Sequence, residues 1–157
     1  MLDIFVTVLD VVLFAAIGYN LYWQSQIEIR STYAYWQMIW GIIIAVWLVS
    51  TGIKSWSYVV FLALFVLMNF SAGVGGLGSK KVVGNGFYSR FFAYESFAGV
   101  TLTPISTPSG KNLVIAIFAL EPRRYVRLTF QAPLEQIIAK LQQQLPESVP
   151  VTIQKIN

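Results

Sequence analysis

YAYWQMIWGIIIAVWLVSTGI at residues 33–53 and WSYVVFLALFVLMNFSA at residues 56–72 decide how this chain is read. Each is close to the roughly 20 apolar residues that a helix needs to cross a hydrocarbon core. The only formal charge from residue 33 to residue 72 is Lys54, in the break between the two runs. They predict a hairpin within a membrane. Toward the N-terminus, residues 2–23 form another apolar run, carrying Asp3, Asp10 and Asn20. A cleaved signal peptide opens on a positive segment and closes on a small-residue site. This run has Asp3 and no Lys or Arg, so it is read as a retained span.

Composition agrees with that reading. The chain has 157 residues, 56% hydrophobic and only 11% charged, where a soluble domain carries about 25% charged residues. Charge is also unevenly placed. Residues 1–75 hold Arg30 and Lys54 against Asp3, Asp10 and Glu28, a net −1. Residues 76–157 hold nine Lys/Arg against Glu95, Glu121, Glu135 and Glu147, a net +5. A boundary near Gly76 follows. The chain has no Cys and no His, which excludes disulfides, thiolate chemistry, His-ligated metals and Ser-His or Cys-His catalysis. No cofactor and no metal are expected.

Between the halves, residues 73–78 read GVGGLG, a literal G-x-G-x-x-G. That motif implies dinucleotide binding only between a strand and a helix. Here it follows an apolar run and leads into Ser79-Lys80-Lys81, so residues 73–79 are read as a flexible hinge. Beyond it the periodicity changes. Residues 81–85 and 87–94 predict a strand hairpin about Gly86, and residues 100–104 alternate as a half-buried strand. Turns are predicted at residues 107–110 and 121–123. Residues 112–120 (NLVIAIFAL) are apolar on both faces, which predicts a central strand. Residues 125–130 alternate again, with Val126, Leu128 and Phe130 on one side and Tyr125, Arg127 and Thr129 on the other. After Pro133, a residue suited to a first helical turn, Leu134, Ile137, Ile138, Leu141 and Leu145 form one apolar helical face. Residues 149–156 predict a last edge strand.

The expected fold is therefore membrane α plus soluble α+β. Three transmembrane helices (about 2–23, 33–53 and 56–72) form residues 1–72. A small antiparallel-sheet domain, residues 80–157, is closed by one amphipathic helix. The element order, with residues 86–97 (GFYSRFFAYESF) as a hairpin running into an aromatic-acidic turn, resembles bacterial PH-like domains attached to small membrane proteins. Tyr94 stands where that family often has Trp, and Phe97 where it has Ile or Leu. The whole layout is similar to small bacterial membrane proteins of the UPF0266 type. The resemblance implies a PH-like roll and a bacterial cytoplasmic membrane more than any one function, because a single fold hosts many.

Orientation follows from the cations near the span ends. Arg30, Lys80, Lys81 and Arg90 fall on one side and Lys54 on the other, which predicts the N-terminus outside and the basic domain in the cytoplasm. The expected function is a membrane-tethered interaction or regulatory module. Its basic domain would dock a membrane-protein partner or anionic lipid through Lys80, Lys81, Arg90, Arg123, Arg124 and Arg127, since cytoplasmic leaflets attract basic segments. A homo-oligomer is a further expectation. The alternative is an accessory subunit of a transporter or larger membrane complex, acting through the intramembrane polar residues Asp10, Asn20, Gln37 and Asn69. The four glutamates of the basic half stand singly, so no converging acid/base set points to an enzyme. Its aromatics sit at strand positions that read as buried, which speaks against nucleic acid.

Overall fold

The computed structural model describes residues 2–53, 55–86, 91–106, 112–120 and 123–154. Lys54, Arg90, the middle of the predicted 81–94 hairpin, the predicted turn at 107–110 and residues 121–122 of the next one lie outside them. The chain divides into two compact units. Met1–Ser25 with Ala34–Gly73 form the first, and Gln26–Tyr33 with Val74–Asn157 form the second.

The first unit holds helices α1 (Leu2–Ser25), α2 (Tyr35–Ser50) and α3 (Trp56–Ala72). Gly52 ends α2: its φ of +92° lies where a residue with a Cβ is strained, and its N–H closes back on the Val49 carbonyl at 3.0 Å. Ser55 then caps α3 by accepting from the Tyr58 N–H. The helices join through small and polar contacts. Gly41 on α2 is buried directly against Asn69 on α3, and a side chain there would collide with the Asn69 Cβ. The Thr7 and Ser57 hydroxyls meet at 2.9 Å, and Gln24 Nε2 donates to the Ser71 carbonyl at 2.8 Å. Thus α1 and α3 run parallel. The Ala34 N–H donates to the Gly73 carbonyl at 2.9 Å, so the three points where the chain leaves this unit gather at one end of it.

Polarity in this unit is inverted. Trp56 is 85% exposed, Phe14 72% and Trp47 65%, while Asp10, Asn69 and Ser71 are buried.

The expectation of three transmembrane helices does not hold. Among the described residues one helix is long and apolar enough to cross a membrane, over Ile4–Ser25, with 11% of its apolar window buried. With 16 and 17 residues, α2 and α3 extend only about 24–26 Å at the helical rise, short of a hydrocarbon core of about 30 Å. The predicted 33–53 run loses both ends: residues 51–53 lie beyond the end of α2 at Ser50, and Tyr33 belongs to the second unit.

The second unit contains two four-stranded sheets. The first has the order β1-β2-β3-β4, with β1 (Ile27–Arg30), β2 (Gly76–Gly78), β3 (Lys81–Val83) and β4 (Phe91–Ala93), all antiparallel. Gly76–Gly78, expected as a hinge, is instead a fully buried strand between β1 and β3. Gly76 has a φ of +156°, and a Cβ there would meet the Ile29 carbonyl and, at 2.7 Å, Ile27 Cγ2. Glycine is what lets these backbones approach. The second sheet comprises β5 (Phe97–Ser106), β6 (Asn112–Leu120), β7 (Arg124–Phe130) and β8 (Val151–Ile153), in the order β7-β6-β5-β8. Helix α4 (Leu134–Gln144) precedes β8, which pairs with β5 in parallel.

This overturns the PH-like expectation. The helix does not close the chain, a strand from between α1 and α2 enters the fold, and two sheets take the place of one antiparallel roll. The core lies between the sheets and α4. Phe118, Phe130, Leu102, Leu128, Leu77, Val82, Ile137 and Leu141 are all buried, each side chain contributing roughly 1.5–3 kcal/mol. Tyr94 sits among them, its hydroxyl donating to the Gly78 carbonyl at 2.8 Å. Burial first, and then the nearby Glu28 carboxylate, raise its phenol well above the usual tyrosine value.

Candidate docking surface

The hydrogen bonds of the second sheet decide which way its edge faces. The Val100 N–H donates to the Pro150 carbonyl at 3.0 Å, and the Leu102 carbonyl accepts from the Gln154 N–H at 2.9 Å. Even-numbered residues of β5 therefore face β8. Because backbone direction alternates along a strand, Thr101 and Thr103 face β6, opposite Ile117 and Ile115. Val114, Ala116 and Phe118 of β6 then face β7 and meet Phe130, Leu128 and Val126. Tyr125, Arg127 and Thr129 are left with their N–H and C=O directed off the sheet. One bond at the far end agrees: the Thr129 carbonyl accepts from the Thr32 N–H at 2.6 Å on that free side. The chain itself starts to cover this edge with the Ser31–Phe130 bridge and then departs.

Beside the uncovered part lies a cleft of about 200 Å³. Arg124, Tyr125 and Arg127 form one wall, and Phe92 of β4 with Gly84 and Asn85, just past β3, line the other. Arg124 and Arg127 are exposed, and Tyr125 is 70% exposed. The Asn85 Oδ1 is buried with no hydrogen-bond partner among the described residues. The outer face of the sheet continues from it as an apolar strip of half-buried Ile115 and Ile117 beside buried Thr103. Cations, an amphipathic ring and backbone groups directed off the sheet are suited to holding an anionic extended chain. Nothing in this arrangement forms a nucleophile–base pair.

The expected docking residues are only partly united. Arg124 and Arg127 come together. Arg123 is exposed in the turn just before β7, whereas Lys80, exposed, and Lys81, half-buried at the start of β3, do not line the cleft. Arg90 lies outside the described residues. Tyr125 and Asn85 were not among the expected residues. Tyr125 was legible, because it shares strand parity with Arg127; Asn85 carried no signal, since its role depends on a contact between sheets.

The intramembrane candidates do not form one site. Asp10 is buried in α1, and its Oδ1 has no hydrogen-bond partner among the described residues. Asn69 is 1% exposed and donates through Nδ2 to the Phe65 carbonyl at 2.8 Å. It lies 12 residues beyond Ser57 on α3, about 18 Å along the helix, whereas Asp10 is one turn from the Thr7–Ser57 contact. Asn20 and Gln37 are half-buried. Among the described residues no group of three or more acidic side chains could hold a metal ion. No family model, no curated protein and no solved structure matches this chain.

Proposed function

We propose that this protein is a membrane-anchored docking module. Its first unit is buried in a bilayer through α1 and the apolar faces of α2 and α3. Its second unit holds an anionic protein partner through Arg124, Arg127 and Tyr125. The observation that carries the reading is the inverted polarity of the first unit: large aromatic side chains face outward while Asp10, Asn69 and Ser71 are inside. Water would penalise that arrangement, since exposed apolar area costs about 25 cal/mol per Å², and a hydrocarbon surrounding would not. Arg30, Lys80 and Lys81 stand near the points where the chain leaves this unit, which favours a cytoplasmic second unit.

The test is co-purification of the full chain from membranes in a mild detergent, beside the Arg124→Glu/Arg127→Glu variant. The expected result is a chain resistant to carbonate extraction in both cases and a partner lost on charge reversal. Recovery from the soluble fraction, or a partner set unchanged by reversal, contradicts the reading. A second reading, an accessory subunit working within the bilayer, is favoured by one observation, the buried Asp10 Oδ1 with no hydrogen-bond partner among the described residues. Under that reading Asp10→Asn abolishes association while the arginine reversals are harmless; under the first, the reverse holds.

A further inference from the structure

We infer that the free edge of β7 is a strand acceptor, which takes an extended acidic segment of a partner protein as an added β-strand. The inference rests on the docking reading above and names how the partner is held. Three observations support it. The N–H and C=O groups of Tyr125 and Arg127 point off the sheet, as the hydrogen bonds at both of its margins require. An edge of this kind is a ready template for another chain. A segment of this same chain already pairs with one end of the edge: Ser31 and Thr32 pair with Phe130 and Thr129. The chain then turns away into α2, so the partner would continue a pairing begun by the protein itself. Charge selects the occupant. Arg123, Arg124 and Arg127 are exposed at or next to the edge, and the second unit carries ten Lys/Arg against five Glu, a net +5. Backbone bonds supply affinity in such complexes and alternate side chains supply specificity. Partner side chains on the outer face would meet Arg127, Tyr125 and the Ile115–Ile117 strip, and those on the opposite face would meet Arg124 and Val126, so Glu or Asp on either face finds an arginine.

The experiment uses the full chain in neutral nanodiscs at physiological salt. The probe is a fluorescent heptapeptide, Thr-Glu-Val-Glu-Val-Glu-Thr, beside the same peptide N-methylated at its five inner residues, which keeps every charge but cannot pair as a strand. Tyr125→Pro removes one outward N–H at a position where an edge strand tolerates proline. Tyr125→Thr is its control, losing the ring but keeping the N–H. The expected result is saturable binding that is weakened at least about tenfold by N-methylation, by Tyr125→Pro and by Arg124→Glu/Arg127→Glu, and less than about threefold by Tyr125→Thr. Equal binding of the methylated peptide, or of the Tyr125→Pro variant, overturns strand addition and leaves charge-driven docking standing. No binding of the unmodified peptide to the wild-type chain also overturns it. Capture of phosphatidylserine vesicles without peptide binding overturns it in favour of a lipid surface. Failure of the docking reading itself is seen separately, as a co-purified partner indifferent to charge reversal.

Discussion

Replacing Gly41 by alanine is expected to loosen the first unit, although alanine is the better helix former. A Cβ at this position would lie inside contact distance of Asn69 Cβ and 2.6 Å from its Cγ. Either α2 and α3 separate there or one backbone shifts. Overpacking of this kind costs about 1–3 kcal/mol, against which alanine returns up to about 1 kcal/mol in helix propensity over glycine. The net expectation is a loss of about 1–2 kcal/mol. The structure also specifies the rescue. Asn69→Ala leaves the colliding Cβ in place and should not restore stability. Asn69→Gly removes it, so Gly41→Ala and Asn69→Gly together should be less destabilising than the sum of the two single changes by about 1 kcal/mol or more. Unfolding of the detergent-solubilised full chain by rising SDS, followed by tryptophan fluorescence, reports on this unit alone, because all five tryptophans (Trp23, Trp36, Trp40, Trp47 and Trp56) lie in it. A neutral or stabilising Gly41→Ala, or a rescue by Asn69→Ala equal to that by Asn69→Gly, would refute the reasoning.

Three further outcomes concern the second unit. Gly76→Ala should cost at least about 2 kcal/mol, because its φ of +156° and the nearby Ile29 carbonyl leave no room for a Cβ; thermal unfolding followed by circular dichroism in the β region checks it. Tyr94→Phe loses the bond to the Gly78 carbonyl and should cost about 1 kcal/mol at neutral pH. The same residue gives a pH signature. Its phenol is held above its unfolded value of about 10, so above that pH the unfolded chain sheds a proton that the folded chain keeps. Titration of Tyr94 should leave stability unchanged below about pH 10 and should lower it above that pH by up to about 1.4 kcal/mol per unit. That fall should be absent in Tyr94→Phe; a wild-type profile matching the variant's contradicts it. The Lys140–Glu28 pair, 2.7 Å apart, joins a nearly buried ammonium to a half-exposed carboxylate, so Glu28→Gln should cost no more than about 1 kcal/mol in the same melts.

Local patterns were readable from the residues, and distant ones were not. The 3.6-residue stripe of Leu134, Ile137, Ile138, Leu141 and Leu145 appears as α4, with Ile137 and Leu141 fully buried. The run at 112–120 is a central strand because both of its faces are apolar and both of its edges are paired. The short IEIR segment is different. Within its neighbourhood it is a polar connection between two apolar runs, and it becomes β1 only because Gly76–Gly78 arrives from some fifty residues away, as in the Ile27–Gly78 pairing. Glycines seen locally suggest a hinge; a close backbone approach from elsewhere makes them a strand. Helix ends were misjudged for a related reason. Hydropathy runs through residues 51–53, while Gly52 stops α2 through its backbone conformation. At the docking edge the arginines were visible as charges, but the direction of the β7 backbone could be known only from its neighbours across two strand pairings.

The most direct test of the central claim is where the tryptophans are when the full chain is reconstituted into liposomes. Lipids brominated midway along their acyl chains should quench most of the fluorescence, and aqueous iodide little of it, because Trp36, Trp47 and Trp56 face outward from the unit assigned to the bilayer. Strong quenching by iodide with no effect of the brominated lipids would place that unit in water and remove the anchor on which the docking module depends.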